Sequence, residues 1–413
     1  MNISKRFSAL ALIGFSFYAQ AETYNFPDKL PPGCTGHSGN YSCGALTLAT
    51  GDVLEVSDPK PANVAVAGAL SLGDSTQLNV GGVPGNLLIS VVGASTIGAS
   101  AQLTLNLQTV GATHLGTNAV FVGDISSIAG VITTDSGSSV DGDIKTDSAA
   151  INIGSDATVT GAVTITVAGV ISVGAASTVT GDLTTATGAI NVGDGSTVGS
   201  ATSTLAGAIT IGAAATVKGN LTTGAGAITV GNESKVDGSI TTIAGVVTVG
   251  AGATVLGAIN NRDTSMAGAV TIGEDSIVVG TIITSAGAIT VGTRSQVGGG
   301  ILAEDGAITL GAGSTVSGSV CTGNSGAITI EAGSTIMGTV ETQTAGAITI
   351  GSEATVSGGV RVHQAGAITI AANADAEEVI TLSGSACLEV PPEDPPVGTP
   401  SITTRTWRQL LIR

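Results

Sequence analysis

The residues able to do chemistry are few: four cysteines, three histidines, scattered carboxylates and a long column of threonines in a chain of 413 residues. Cys34 and Cys43 flank a polar Gly/Ser loop, and in an exported protein such a pair closes a local disulfide. A zinc site is the weaker alternative, because only His37 stands nearby and a closed site takes four ligands. Glycan chemistry would need clustered carboxylates and aromatic platforms for sugar rings. Residues 122–406 contain no Phe, Tyr or Trp. Basic residues are sparse across the regular repeats (Lys145, Lys218, Lys235, Arg262, Arg294, Arg361), and His114 and His363 are too far apart in the chain to share a site in a repeating fold. The acidic residues Asp141, Asp143, Asp182, Asp194 and Asp237 are scattered. The Gly-Gly-x-Gly-x-Asp nonapeptide of calcium-binding rolls is missing, so they read as solubilising surface charge. No catalytic residue, no metal site and no cofactor is expected, and the chain reads as a non-enzyme.

What positions these residues is a repeat. Gly207–Gly212 spells Gly-Ala-Ile-Thr-Ile-Gly, and variants begin at Gly226, Gly245, Gly268, Gly287, Gly306 and Gly346. Counting every copy from Gly130 to Gly366, successive starts are 19 or 20 residues apart, with one step of 23. A fixed period of this size marks a stacked-repeat architecture. Apolar residues recur in columns, as in Ile209/Ile211 and Ile228/Val230. A second column runs from Val140 through Val217 to Val356. A third, from Ile144 through Leu221 to Val360, is broken at Thr202.

Period-two alternation in three short strands per repeat, with glycine at the corners, predicts an all-β fold. The predicted architecture is a single-stranded, right-handed, triangular parallel β-helix, or β-solenoid, of about 19–20 residues per coil. Glycines at the corners are expected to supply positive φ or close backbone approach. Thr210, Thr229, Thr248, Thr271, Thr290, Thr309, Thr329, Thr349 and Thr369 form an outward column. A flat Thr ladder is one way a β-solenoid binds ice. Thr is equally a good exposed-strand residue, and the neighbouring Ala column leaves no paired Thr lattice.

Six segments follow from this. Residues 1–21 read as a signal peptide: Lys5 and Arg6, the apolar Phe7–Tyr18, and cleavage after Ala19-Gln20-Ala21, so that Glu22 begins the mature chain. The apolar run of about 12 residues falls short of the ~20 of a spanning helix. Residues 22–44 form a disulfide-clipped cap, 45–129 irregular coils and 130–387 regular coils. Residues 388–404 are a Pro-rich linker and 405–413 a tail with Trp407, Leu410 and Leu411 on one helical face. An excess of residues at Asn260–Met266 should bulge from a corner as a tolerated surface insertion. Cys321 and Cys387 lie three coils apart, about 15 Å along a straight axis, beyond the ~7 Å that a disulfide spans. They can pair only if the segment after Ile380 folds back along the rod, and the even cysteine count favours pairing.

The formal net charge is −17, and removing residues 1–21 leaves 11 basic against 30 acidic residues. Such a surface repels nucleic acid and anionic lipid. No later run is apolar enough to span a membrane as a helix.

The opening Tyr24-Asn25-Phe26-Pro27 and Leu30-Pro31-Pro32-Gly33-Cys34, then Tyr41-Ser42-Cys43-Gly44-Ala45-Leu46-Thr47-Leu48, followed by the phrase-bearing coils, resembles the N-terminal repeat region of MshQ-like exported bacterial proteins of MSHA pilus biogenesis. That resemblance implies a cell-surface role in adhesion or with type IV pili. The long C-terminal part of those proteins has no counterpart here. The coils are also similar to those of bactofilins, polymer-forming β-solenoids of the cytoplasm, with which the signal peptide is at odds. The expected function is an exported structural or adhesion-type rod whose partners are further copies or other surface and pilus proteins. An ice- or glycan-binding solenoid is the alternative, and a polysaccharide-active enzyme the more remote one.

Overall fold

The computed structural model describes residues 21–57, 60–261, 268–344, 346–363, 366–376 and 379–382. The signal segment before Ala21, most of the Asn260–Met266 insertion, Cys387, the Pro-rich linker and the Trp407 tail lie outside the described residues.

One turn shows how sequence becomes structure. From Gly207 the chain runs through Ile209–Ile211, turns, forms Thr216–Val217, turns again and forms Leu221–Ala225. Each strand pairs in parallel register with its counterpart one turn on: Ile209 with Ile228, Val217 with Val236, Leu221 with Ile240. Repetition builds three parallel ladders, the first, second and third sheets, wound into a β-solenoid of about 17 turns. At ~4.8 Å per turn the rod is roughly 80 Å long. The degraded early copies join the same ladders, since Leu70–Leu72, Ser95–Ile97 and Thr113–Leu115 pair in register in the first sheet. Among the described residues the one helical element is a 3-10 turn at Pro84–Asn86.

Alternation puts Ile209, Ile211, Val217 and Leu221 inside, each stacked on its equivalents in one continuous apolar core. The inward set also holds polar residues that the columns read from sequence did not include. Thr185, Thr223, Thr242 and Thr284 point inward in the third sheet and are fully buried. A second buried column, Ser177, Ser196, Ser234, Ser276 and Ser295, lies just before the second sheet.

One register expectation is corrected. Ala201, not Thr202, fills the third-sheet core position between Leu183 and Leu221. That turn leaves its second sheet at Val198 and reaches its third sheet one residue early, so counting at a fixed offset from Gly188 slips by one. Thr202 faces outward between Thr184 and Thr222.

The glycines of the phrase are there for contact. A Cβ on Gly207 would collide with the Gly188 carbonyl oxygen, and one on Gly231 would lie 2.6 Å from the Gly212 carbonyl. The left-handed residue after the first sheet is often not glycine: Ala176, Ala214, Glu233, Asp275 and Arg294 occupy it with φ between 53° and 58°.

Candidate functional site

The carboxylates belong to the ladder. Asp143 Oδ1 accepts the Ala162 N–H at 2.8 Å, Asp182 that of Ser200 at 2.8 Å and Asp194 that of Ala213 at 2.8 Å. Each acid therefore ties the corner of its own turn to the backbone of the next. Asp141 instead accepts the Thr160 hydroxyl at 2.6 Å, and Asp237 pairs with Lys235 at 2.6 Å. Charge in the sequence thus has a cohesive part that its scatter did not reveal. The described residues include no group of three or more His, Cys, Asp or Glu able to hold a metal ion.

His37 is exposed on the cap, and His114 makes an exposed pair with Asp135 of the next turn at 3.1 Å. On an outer corner, Arg294 makes two hydrogen bonds to Asp275, at 2.7 and 2.6 Å, across one turn. The Arg294 hydrogen bond and charge hold the Asp275 carboxyl below the usual carboxylate range, and Asp275 in turn raises the guanidinium.

The start of the rod is closed by its own chain. Cys34–His37 and Asn40–Cys43 form an antiparallel hairpin in which Cys34 faces Cys43, and the two are disulfide-bonded with Cα atoms 4.1 Å apart. Asn40–Cys43 is the first parallel strand of the third sheet, paired with Asn63–Val66. Thr23–Phe26 begins the second sheet against Val53–Val56, and its free side is bridged by Asn25 and Lys29. Two of the three ladders thus end at this pole in antiparallel segments. Inside, the Phe26 and Tyr41 rings lie 4.4 Å apart and plug the first turn. Burial, then the carboxylates of Glu22 and Asp52, raise the Tyr24 phenol above its ordinary value. Of the residues expected at the signal junction, Ala21 and Glu22 are both exposed, and Glu22 is tied down by its N–H bond to Asp52 Oδ1 at 2.7 Å.

Toward the other pole the third sheet changes character. Its outward column carries Thr184, Thr202, Thr222, Thr241 and Asn260, then Ile283, Leu302, Cys321 and Glu341. Ile283, Leu302 and Cys321 make a buried cluster separate from the main core. Glu341 Oε1 and His363 Nε2 meet at 2.7 Å with side chains only 3% and 4% exposed. Cys321 is not free, while Cys387 lies outside the described residues.

The insertion is anchored at its base. Asn261, standing where other turns have an inward Thr, donates to the carbonyls of Gly245 at 2.7 Å and Gly268 at 2.9 Å. It thereby holds the turns before and after the inserted residues together.

The outward threonines form ladders on more than one face. The first-sheet column from Thr210 to Thr369 stacks in unbroken register. The third-sheet column holds Thr164, Thr184, Thr202, Thr222 and Thr241. Compared with protein-family models, characterised proteins and solved structures, the chain finds no match.

Proposed function

We propose that this chain is an exported, non-enzymatic rod of the bacterial cell surface, acting in adhesion or pilus-associated assembly, and self-associating. The observation that carries the reading is the long solenoid: Asp143, Asp182, Asp194 and the inward threonines are occupied in joining turns, which leaves repetitive outer faces as the working surface. The signal-like first 21 residues and the Cys34–Cys43 disulfide agree with an oxidising destination. The even cysteine count, with Cys321 buried beside Ile283 and Leu302, agrees with the same oxidising destination.

Expression of the tagged full-length chain in a bacterial host tests this. N-terminal sequencing should find Glu22 first, and external protease should degrade the protein on intact cells. An uncleaved chain in the cytosolic fraction would end the reading.

The Thr210–Thr369 ladder supports ice binding as a second reading. Thermal hysteresis of the purified protein at low concentration is its test, and none would remove it.

A further inference from the structure

One corner of the rod, where the third sheet passes into the first, carries large exposed aliphatic residues at every second turn. Ile128, Val167, Leu205 and Ile243 each stand two residues before the first glycine of their phrase and are 58, 57, 65 and 61% exposed. Beside three of them Val131, Val170 and Val246 are also exposed. The intervening turns have Asp147, Ala186 and Gly224 at the same level. At ~4.8 Å per turn the knobs recur about every 10 Å, with a gap between each pair.

The backbone helps to set the alternation. The third-sheet strands Val163–Ala168 and Ala201–Ala206 have six residues where Ile144–Ser148, Leu183–Thr187 and Leu221–Ala225 have five. The pairing register shifts between Ile165 and Ala168 and between Ser203 and Ala206. Val167 and Leu205 fall within these bulges, a device that re-aims a side chain out of the ladder. Scattered exposed aliphatics are ordinary on any surface, but a periodic row built partly on bulges is not scatter. Nearer the start of the rod the alternation is replaced by large residues on three successive turns, where Val92, Val110 and Ile128 wall a groove floored by Ala65, Ser90 and Ser126.

We propose that this corner is a pairing surface for a second copy of the chain. The occupant follows from shape and charge. A row alternating knob and gap is self-complementary when two copies lie antiparallel about a two-fold axis that maps knobs onto gaps. With the axis between the levels of Ala186 and Leu205, Leu205 of one copy enters above Ala186 of the other, Val167 meets Gly224, and Ile243 meets Asp147, whose carboxylate accepts the Thr166 hydroxyl. Two mature chains, each with 11 basic against 30 acidic residues, repel, so contact belongs where charge is sparse, and Asp147 is the one charged residue at knob or gap level from Ile128 to Ile243. The proposal deepens the self-association in the proposed function and rests on it.

Sedimentation equilibrium of the mature full-length chain tests it. The expected result is a reversible dimer at micromolar concentration. Leu205→Glu should weaken it at least about tenfold, and so should Ala186→Leu, which fills a gap. The combination of Leu205→Ala with Ala186→Leu exchanges knob and gap and should recover association. Unchanged far-UV circular dichroism and melting would show that each variant is folded, as expected for exposed side chains. A wild type that stays monomeric at roughly 100 µM, or dimers indifferent to both single substitutions, would overturn the pairing surface. Either outcome leaves export to be decided by the localisation experiment.

Discussion

Thr223 donates its buried hydroxyl to the carbonyl of Gly207, 2.9 Å away, and so closes one turn of the solenoid on its own first residue. Thr185 with Gly169, Thr242 with Gly226 and Thr284 with Gly268 repeat the contact at 3.2, 3.2 and 3.1 Å. The inward serines link neighbouring turns in the same manner: Ser196 Oγ donates to Gly174 O at 2.8 Å and Ser234 Oγ to Gly212 O at 2.7 Å. The core is therefore an apolar stack laced by hydroxyls that satisfy corner carbonyls.

Replacing Thr223 by Val keeps the volume and leaves the Gly207 carbonyl without its side-chain donor. The cost should be about 1–3 kcal/mol, and Thr223→Ser should recover most of it. A repeat array responds locally, so hydrogen exchange of the adjoining turns is the sensitive measurement. Equal protection in wild type and the Val variant would show that the hydroxyl is idle.

Gly207→Ala should be worse than Gly195→Ala. The first forces a Cβ into the Gly188 carbonyl, a backbone atom with little freedom to move. The second carries a φ of +65° but meets nothing within 4 Å. Overpacking of the first kind costs about 1–3 kcal/mol or more, while the second costs about 1–2 kcal/mol for the left-handed backbone alone. Denaturant melts would rank them, and the reverse order would mean that the turns can separate to admit a methyl group.

Loss of the cap disulfide should fray one pole. With Cys34 and Cys43 both replaced by Ser, the hairpin that covers the third sheet is held by hydrogen bonds alone. Hydrogen exchange should quicken in residues 22–57 and stay unchanged beyond the next few turns. Uniform acceleration along the rod would contradict a locally acting clip.

The Asp275–Arg294 pair sets an acid-side prediction. The folded Asp275 carboxyl is held below its ordinary value by Arg294, so its contribution is present above the usual aspartate range and is lost as pH falls through the folded value. Both groups are exposed, so the effect on stability is small. The readout is the Asp275 titration by NMR: Arg294→Gln should move its midpoint up toward the ordinary range, and an unmoved midpoint would refute the assignment.

Much of the fold is legible in the sequence because Ile209, Ile211, Val217 and Leu221 are large, apolar and repeated at a nearly fixed spacing. The inward Thr223 and Ser234 are not legible, since a hydroxyl residue at an alternate position reads as outward unless its carbonyl partner is known. Ala201 is hidden at a fixed offset because a shorter corner and a longer strand cancel in the period. Asp143 and Asp182 read as solubilising charge because a carboxylate that latches the next turn has no sequence mark of its own. The rhythm of Val167, Leu205 and Ile243 is in the letters, but it becomes a surface only when the stacked turns, with bulges at Val167 and Leu205, bring those residues to one corner.

Electron microscopy of the purified mature chain tests the self-associating rod most directly. The expected particles are rods roughly 80 Å long, many lying side by side in pairs that separate in the Leu205→Glu variant. Single rods at every concentration would contradict it, and long filaments joined pole to pole through the disulfide-clipped end would contradict pairing along the corner.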